Sequence, residues 1–268
     1  MSGTRTPRPG DVPKRIVWLL NGFKRYVRRF IRKNFHAVRL SKTSCPWPTG
    51  PEPILVVLNH PSWWDPMMAV VISDHVPPGE HFGAIDAEAV RKYPVFLKLG
   101  FLPVDTLSLR GAAEFLRRSE AILAEPNRLL WLTAQGKFTD VRTRPLVLRP
   151  GVGHLAARLK RGRIVPVALE YSFWTEKTPE ALIRFGRTLD IADFPERNPK
   201  EWTFEIERAL TETLDGLNAE TMTREPDSFT VLASGRTGVG GAYDRFRRVA
   251  SWARGRRFDA SHAGGESA

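Results

Sequence analysis

Cysteine is almost missing from this sequence. Cys45 is the single one in 268 residues, so no disulfide can form within the chain and a reducing compartment is expected. Cys45 itself reads as a loop residue. Long apolar runs are missing too: no stretch reaches the roughly 20 residues that span a bilayer. The run Ile16-Val17-Trp18-Leu19-Leu20 is too short for a secretory signal and lacks a small-residue cleavage site. These absences predict a soluble or peripheral cytoplasmic protein. No Gly-x-Ser-x-Gly elbow is present, which disfavours the common serine-hydrolase route. No Gly/Ser-rich or Pro-rich linker divides the middle, so one domain is expected. Acidic residues are scarce at one end. In residues 1–50 Asp11 stands alone against 12 Lys/Arg, whereas the rest holds 29 basic and 28 acidic residues. The net charge of +12 is therefore a property of the N-terminal arm.

Residues 1–13, with Pro7, Pro9, Gly10 and Pro13, read as disordered. Over Lys14–Phe35 the apolar residues Ile16, Leu19, Leu20, Phe23, Val27, Phe30 and Ile31 recur at helical spacing. Lys14, Lys24, Arg25, Arg28, Arg29, Arg32 and Lys33 fall largely off that stripe. Residues 14–50 are thus expected to form a basic amphipathic segment. Two readings fit it: a helix lying in an anionic membrane surface, or one packed on the domain with a solvated basic face. No reading motif accompanies the cations, so no nucleic-acid partner is expected.

Residues 51–220 alternate strand and helix, the pattern of an α/β fold with a sheet flanked by helices. Strands are predicted at Ile54–Leu58, Phe82–Ile85, Phe101–Val104, Leu129–Thr133, Ile164–Leu169 and Ala181–Leu189. Helices are predicted from Asp65 to Ile72, and at Val90–Leu99, Leu109–Leu123, Val152–Leu159 and Glu201–Thr213. Pro166 marks its strand as an edge or a bulge. Beyond Thr221 order weakens into a flexible basic tail, 221–268. There Arg245, Arg247, Arg248, Arg254, Arg256 and Arg257 interleave with aromatics, as a solvated tail or a second membrane contact.

The segment Asn59-His60-Pro61-Ser62-Trp63-Trp64-Asp65-Pro66 follows the first buried strand. It sits where ligands bind in α/β sheets, at a strand's C-terminal end. On an ideal helix, positions five apart diverge by about 140°, so His60 and Asp65 meet only if Pro61 and Ser62 turn the chain. Asp65 would then accept the imidazole N–H, fix its tautomer and stabilise the imidazolium, leaving His60 as a general base. His60 as a polar loop residue and Asp65 as a helix cap is the plainer alternative. The same spacing recurs at His81–Asp86, which follows a Pro-Pro-Gly-Glu turn and reads as a chance match. Trp63, Trp64, Met67 and Met68 suit a core or an acyl-chain pocket. Gly151, Gly153 and His154 read as a tight turn into a helix.

These blocks resemble the glycerol-phosphate and lysophospholipid acyltransferase family, with its His-x4-Asp hallmark, over about residues 53–172. Asn59–Asp65 resembles the first block and Gly100-Phe101-Leu102-Pro103-Val104-Asp105 the second. Leu130-Trp131-Leu132-Thr133-Ala134-Gln135-Gly136 resembles the third, and Ile164-Val165-Pro166-Val167 the fourth. The resemblance implies His60 and Asp65 as the catalytic pair. It also implies direct transfer from acyl-CoA or acyl-carrier protein to a hydroxyl or amine of a lipid, with no covalent intermediate, metal or further cofactor, and membrane attachment by N-terminal helices. Substrate contacts would come from Asn59, Thr106, Gln135 and Gly136. Three positions depart from the family: Thr106 and Phe138 replace arginines and Gln135 a glutamate. Arg110, Lys137, Arg142 and Arg144 are the nearby cations that could replace the lost ones, and an acceptor other than plain glycerol phosphate is expected. An ester or thioester hydrolase and a non-catalytic lipid-surface protein are the rival readings.

Overall fold

A computed structural model describes residues 12–105 and 108–235. Thr106, nearly all of the 1–13 segment and the basic stretch 243–258 lie outside the described residues. The first element is helix α1 (Val17–Asn34), whose last-turn Arg32 and Lys33 meet the negative end of the helix dipole. Strand β1 (Ala37–Ser41) follows directly. Strand β2 (Ile54–Leu58) is buried at every position, as a strand covered on both faces must be. Next come helix α2 (Asp65–Ile72), strand β3 (Glu80–Asp86), short helices α3 (Ala87–Lys92) and α4 (Val95–Leu99), and strand β4 (Phe101–Val104). Then come α5 (Leu109–Leu123), β5 (Arg128–Thr133), α6 (Gly151–Ala156) and β6 (Arg163–Ser172). The described chain closes with β7 (Glu180–Phe185), β8 (Leu189–Asp190), α7 (Pro199–Thr223) and β9 (Phe229–Ser234).

The strands form one mixed sheet in the order β4-β3-β5-β2-β6-β7-β1-β9, with β8 beside β6. The strands from β4 to β6 run parallel. Strand β7 reverses against β6, β1 runs parallel to β7, and β9 reverses again. Alternation along β2 divides the core. Leu55 and Val57 face α5, α6 and α7, while Ile54, Val56 and Leu58 face α1 and α2. This is the α/β sheet with helices on both faces that the alternation of elements predicts.

The apolar stripe of α1 is spent inside the protein. Val27, Ile31 and the capping Phe35 are at most 1% exposed, and burying such side chains contributes about 1.5–3 kcal/mol each. Ion pairs of Lys24 and Arg28 with Asp74 tie the same helix to the end of α2, and Arg15, just ahead of the helix, pairs with Glu80 of β3. Of the two readings of this helix, packing on the domain is therefore the one that accounts for its apolar face. Among the described residues no helix is long and apolar enough to cross a membrane.

Several boundaries move for physical reasons. The expected helix Val90–Leu99 is two helices, because Pro94 forces Tyr93 out of helical geometry. Strand β6 is central, not an edge. Pro166 is tolerated because its missing N–H falls in the gap between β7 and β8, where its carbonyl still accepts from Gly186 N–H at 2.9 Å. The expected strand Ala181–Leu189 stops at Phe185, and β8 pairs separately. Helix α6 is shorter than predicted. Helix α7 is longer: the Asn198–Glu201 capping box starts it, and Leu214 and Leu217 keep it buried past Thr213. The sheet also extends beyond 51–220, because β1 and β9 pair with each other along its far edge.

Candidate active site

Strand β2 ends at Leu58, and side chains continue its ladder. Asn59 is buried; its amide donates to Leu169 O at 2.8 Å and its oxygen accepts from Leu169 N–H at 2.7 Å. That double bond splices the end of β2 to β6. The next residue is clamped from the other side. His60 N–H donates to Gln135 Oε1 at 2.7 Å, and Thr139 N–H donates to the His60 carbonyl at 2.9 Å. The backbone of His60 is thereby pinned between the ends of β2, β5 and β6.

Pro61 and Ser62 turn the chain, and His60 Nδ1 donates to Asp65 Oδ2 at 2.6 Å. Ser62 N–H donates to the same oxygen at 3.2 Å, and the Tyr171 hydroxyl donates to Oδ1 at 2.8 Å. The Asp65 side chain is fully buried, while that of His60 keeps 18% exposure. Burial pushes the Asp65 carboxyl above its ordinary value, against the opposing hydrogen bonds from His60, Tyr171 and Ser62. With the Nδ1 proton committed to the carboxylate, Nε2 carries the free lone pair. Such an imidazole can take a proton from a hydroxyl or amine and hold it beside a carboxylate. The ring of Phe138, 60% exposed, lies 4.5 Å from that of His60. The second His-x4-Asp forms no such pair. His81 and Asp86 stand roughly 16 Å apart along β3. His81 accepts from the Trp131 indole N–H at 3.0 Å, and Asp86 caps α3.

Residues 34–170, half of the chain, match the model of the Acyltransferase family. The chain belongs to that family, which comprises glycerol-phosphate and lysophospholipid acyltransferases. No curated protein matches the sequence.

The acyltransferase places its expected substrate contacts unevenly. Gln135 is buried and occupied by His60 N–H. Gly136, at φ +65°, leaves room for the side chain of Arg149, which a Cβ there would strike. Lys137 is exposed, with its carbonyl accepting from Thr139. Arg110 is exposed on the first turn of α5. Arg142 closes on Asp140 through two side-chain bonds of 2.9 and 2.7 Å, holding that carboxyl far below its usual range. Arg144 is bound to Asp215 and Asn218 of α7 and to the carbonyls of Val141 and Thr143. Arg142 and Arg144 are thus engaged within their own loop and α7, and their bonds do not bring them to His60. Met67 and Met68 belong to the core, while Trp63 is 59% exposed. Tyr171, whose hydroxyl donates to Asp65, is beyond the reach of sequence reasoning, since no local pattern signals it.

Proposed function

We propose that this acyltransferase moves an acyl group from a thioester, acyl-CoA or acyl-carrier protein, to a hydroxyl or amine of a lipid acceptor. The bond of 2.6 Å from His60 Nδ1 to Asp65 Oδ2 carries this reading. His60 Nε2 takes the acceptor's proton as its oxygen or nitrogen attacks the thioester carbonyl. The carbon–sulfur bond breaks as the tetrahedral adduct collapses, and the imidazolium returns its proton to the departing thiolate. Asp65 keeps the imidazole oriented and offsets its charge throughout. General-base help of this kind is worth roughly 10²–10⁴ in rate. The activity is of the 1-acyl-glycerol-3-phosphate acyltransferase type in chemistry, with a different acceptor. An aromatic ring beside His60 and engaged guanidinia on Arg142 and Arg144 favour a headgroup without a free phosphate, such as a glycolipid or an amino-acid lipid.

On this reading the acceptor is met at the cytoplasmic face of an anionic membrane, a location that suits phospholipid and other lipid synthesis. The outward side of α1 supports this. Trp18, Arg25, Arg29 and Arg32 fall together on the face opposite Val27 and Ile31, and Trp18 is 75% exposed. At its border Tyr26 stacks on Phe30 at 5.6 Å, and Phe30 meets Trp63 at 6.4 Å, three residues beyond His60. Aromatic rings with a cationic rim suit an anionic headgroup layer. The surface thus sits next to the turn that carries the base.

The deciding assay is thiol release from long-chain acyl-CoA by detergent-solubilised protein given total polar lipid extract, with His60→Ala alongside and mass spectrometry of the lipids. Release requiring both lipid and His60 is expected. Release without lipid would make the protein a thioesterase. No release from either acyl-CoA or acyl-carrier protein would overturn the enzymatic reading.

A further inference from the structure

Asp65 is buried with both carboxylate oxygens occupied, and the donor on Oδ1 comes from outside the His-x4-Asp turn. That donor, Tyr171, stands near the end of β6, one residue past the span that matches the family. Its ring packs beside the end of α1. It lies 5.8 Å from Phe35, the cap of α1, and Phe35 meets Trp64 edge-on at 4.9 Å, immediately before Asp65. Phe35 thus flanks both the phenol and the turn that carries Asp65.

We propose that Tyr171 is a positioning residue for the His60–Asp65 pair. Its hydroxyl holds Oδ1 so that Oδ2 faces the imidazole, and it stabilises the ionised carboxylate so that the pair releases its proton more readily. A buried carboxylate with fewer donors retains a proton more strongly. A proton on Asp65 would remove the acceptor that keeps hydrogen on Nδ1 and the lone pair on Nε2. Tyr171 suits the role of permanent donor. Burial, and then the neighbouring Asp65, push its phenol well above the ordinary tyrosine value. The rings packed around the pair are Phe35 at the end of α1, Trp64 ahead of α2 and Phe138 from the loop after β5, none of them charged. The ionisable groups beyond are already committed. Glu170 accepts from Asn218 at 2.6 Å, and Glu180 pairs with Arg39 and His36.

A buried hydroxyl could instead simply need a partner of its own, and the two roles differ in what its removal does to the pair. The test is a titration of ¹⁵N-histidine-labelled full-length protein by NMR, with the His60 signals identified by their loss in His60→Gln. In Tyr171→Phe the pair's midpoint should rise by about half to one pH unit, the range of one lost hydrogen bond to a carboxylate. The Nδ1–H signal should move with it. In an Asp65→Asn background the same substitution should move neither, the non-additivity expected of a shared network. Unchanged midpoint and Nδ1–H signal in Tyr171→Phe would overturn the proposal. If that variant does not melt cooperatively, fluorotyrosine incorporation replaces it. A more acidic phenol donates more strongly and must lower the midpoint; no change there would be equally fatal. The effect on rate rests on His60 being the base. If so, the acid limb of kcat/KM should rise with the midpoint while KM stays constant. A wild type that transfers no acyl group would remove the proposed function, and the titration would still decide the role of Tyr171.

Discussion

Asp65→Asn should separate activity from stability. Asparagine has the size of aspartate and can keep both side-chain contacts, its oxygen toward His60 and its nitrogen toward the Tyr171 oxygen. What it lacks is charge. Without it the imidazolium formed in the reaction loses its counter-charge. In the flipped rotamer an amide N–H also faces Nδ1 and drives the ring proton onto Nε2. Transfer should therefore fall on the order of 10²–10⁴-fold, with KM little changed. Stability should move the other way. The folded carboxyl lies above its ordinary value of 3.8 because it is buried. A group raised on folding stabilises the native state below its unfolded value, and that contribution is lost as pH rises through the folded value. At neutral pH the ionised Asp65 thus works against the fold, and its neutral isostere removes the conflict. Tm by calorimetry should stay constant or rise by a few degrees, at roughly 2–4 °C per kcal/mol for a domain of this size. A Tm lowered by more than about 4 °C would show that the charged network is net stabilising. Transfer within about threefold of wild type would show that Asp65 does not orient the base.

Other expectations follow from the same contacts. His60→Ala should abolish transfer in the thiol-release assay while His81→Ala retains it; the reverse would reassign the base. Burial, with Lys24 and Arg15 nearby, lowers the His81 imidazole from 6.5 to about 4. Its contribution to stability is complete above the unfolded value and fades as pH falls from about 6.5 toward about 4, by up to about 3 kcal/mol. In urea unfolding at about pH 7 and about pH 4.5, His81→Gln should lose less stability on acidification than wild type; an equal loss would refute this. Gln135→Leu leaves His60 N–H without its acceptor and should cost about 1–3 kcal/mol in the same unfolding assay, with reduced transfer. Neutralising Arg25, Arg29, Arg32 and Lys33 together should weaken flotation with phosphatidylglycerol vesicles by about 10³-fold, at about 1 kcal/mol per cation. Undiminished flotation would move the membrane contact elsewhere.

What could be read in advance was whatever neighbours along the chain decide. Strand β2 is an unbroken apolar run, and the predicted Leu109–Leu123 matches α5 at both ends, its start fixed by the Ser108 cap. The turn joining His60 to Asp65 is equally local. Ends set by packing were not legible. Helix α7 runs past its predicted end because buried leucines hold it, and β9 forms because β1 offers it a ladder.

The sequence by itself determined the alternation of elements, the charge asymmetry and the His60–Asp65 turn, since these depend on residues within a few positions of one another. Only the tertiary structure decided what those pieces meet. It turned the stripe of α1 inward because the sheet offers it more apolar surface than solvent does. It gave Gln135 to the His60 backbone and Arg144 to α7. It also brought Tyr171, more than a hundred positions away, to the second oxygen of Asp65. Such partners are chosen by the distance between β2 and β6 in the folded sheet, and no local pattern encodes that distance.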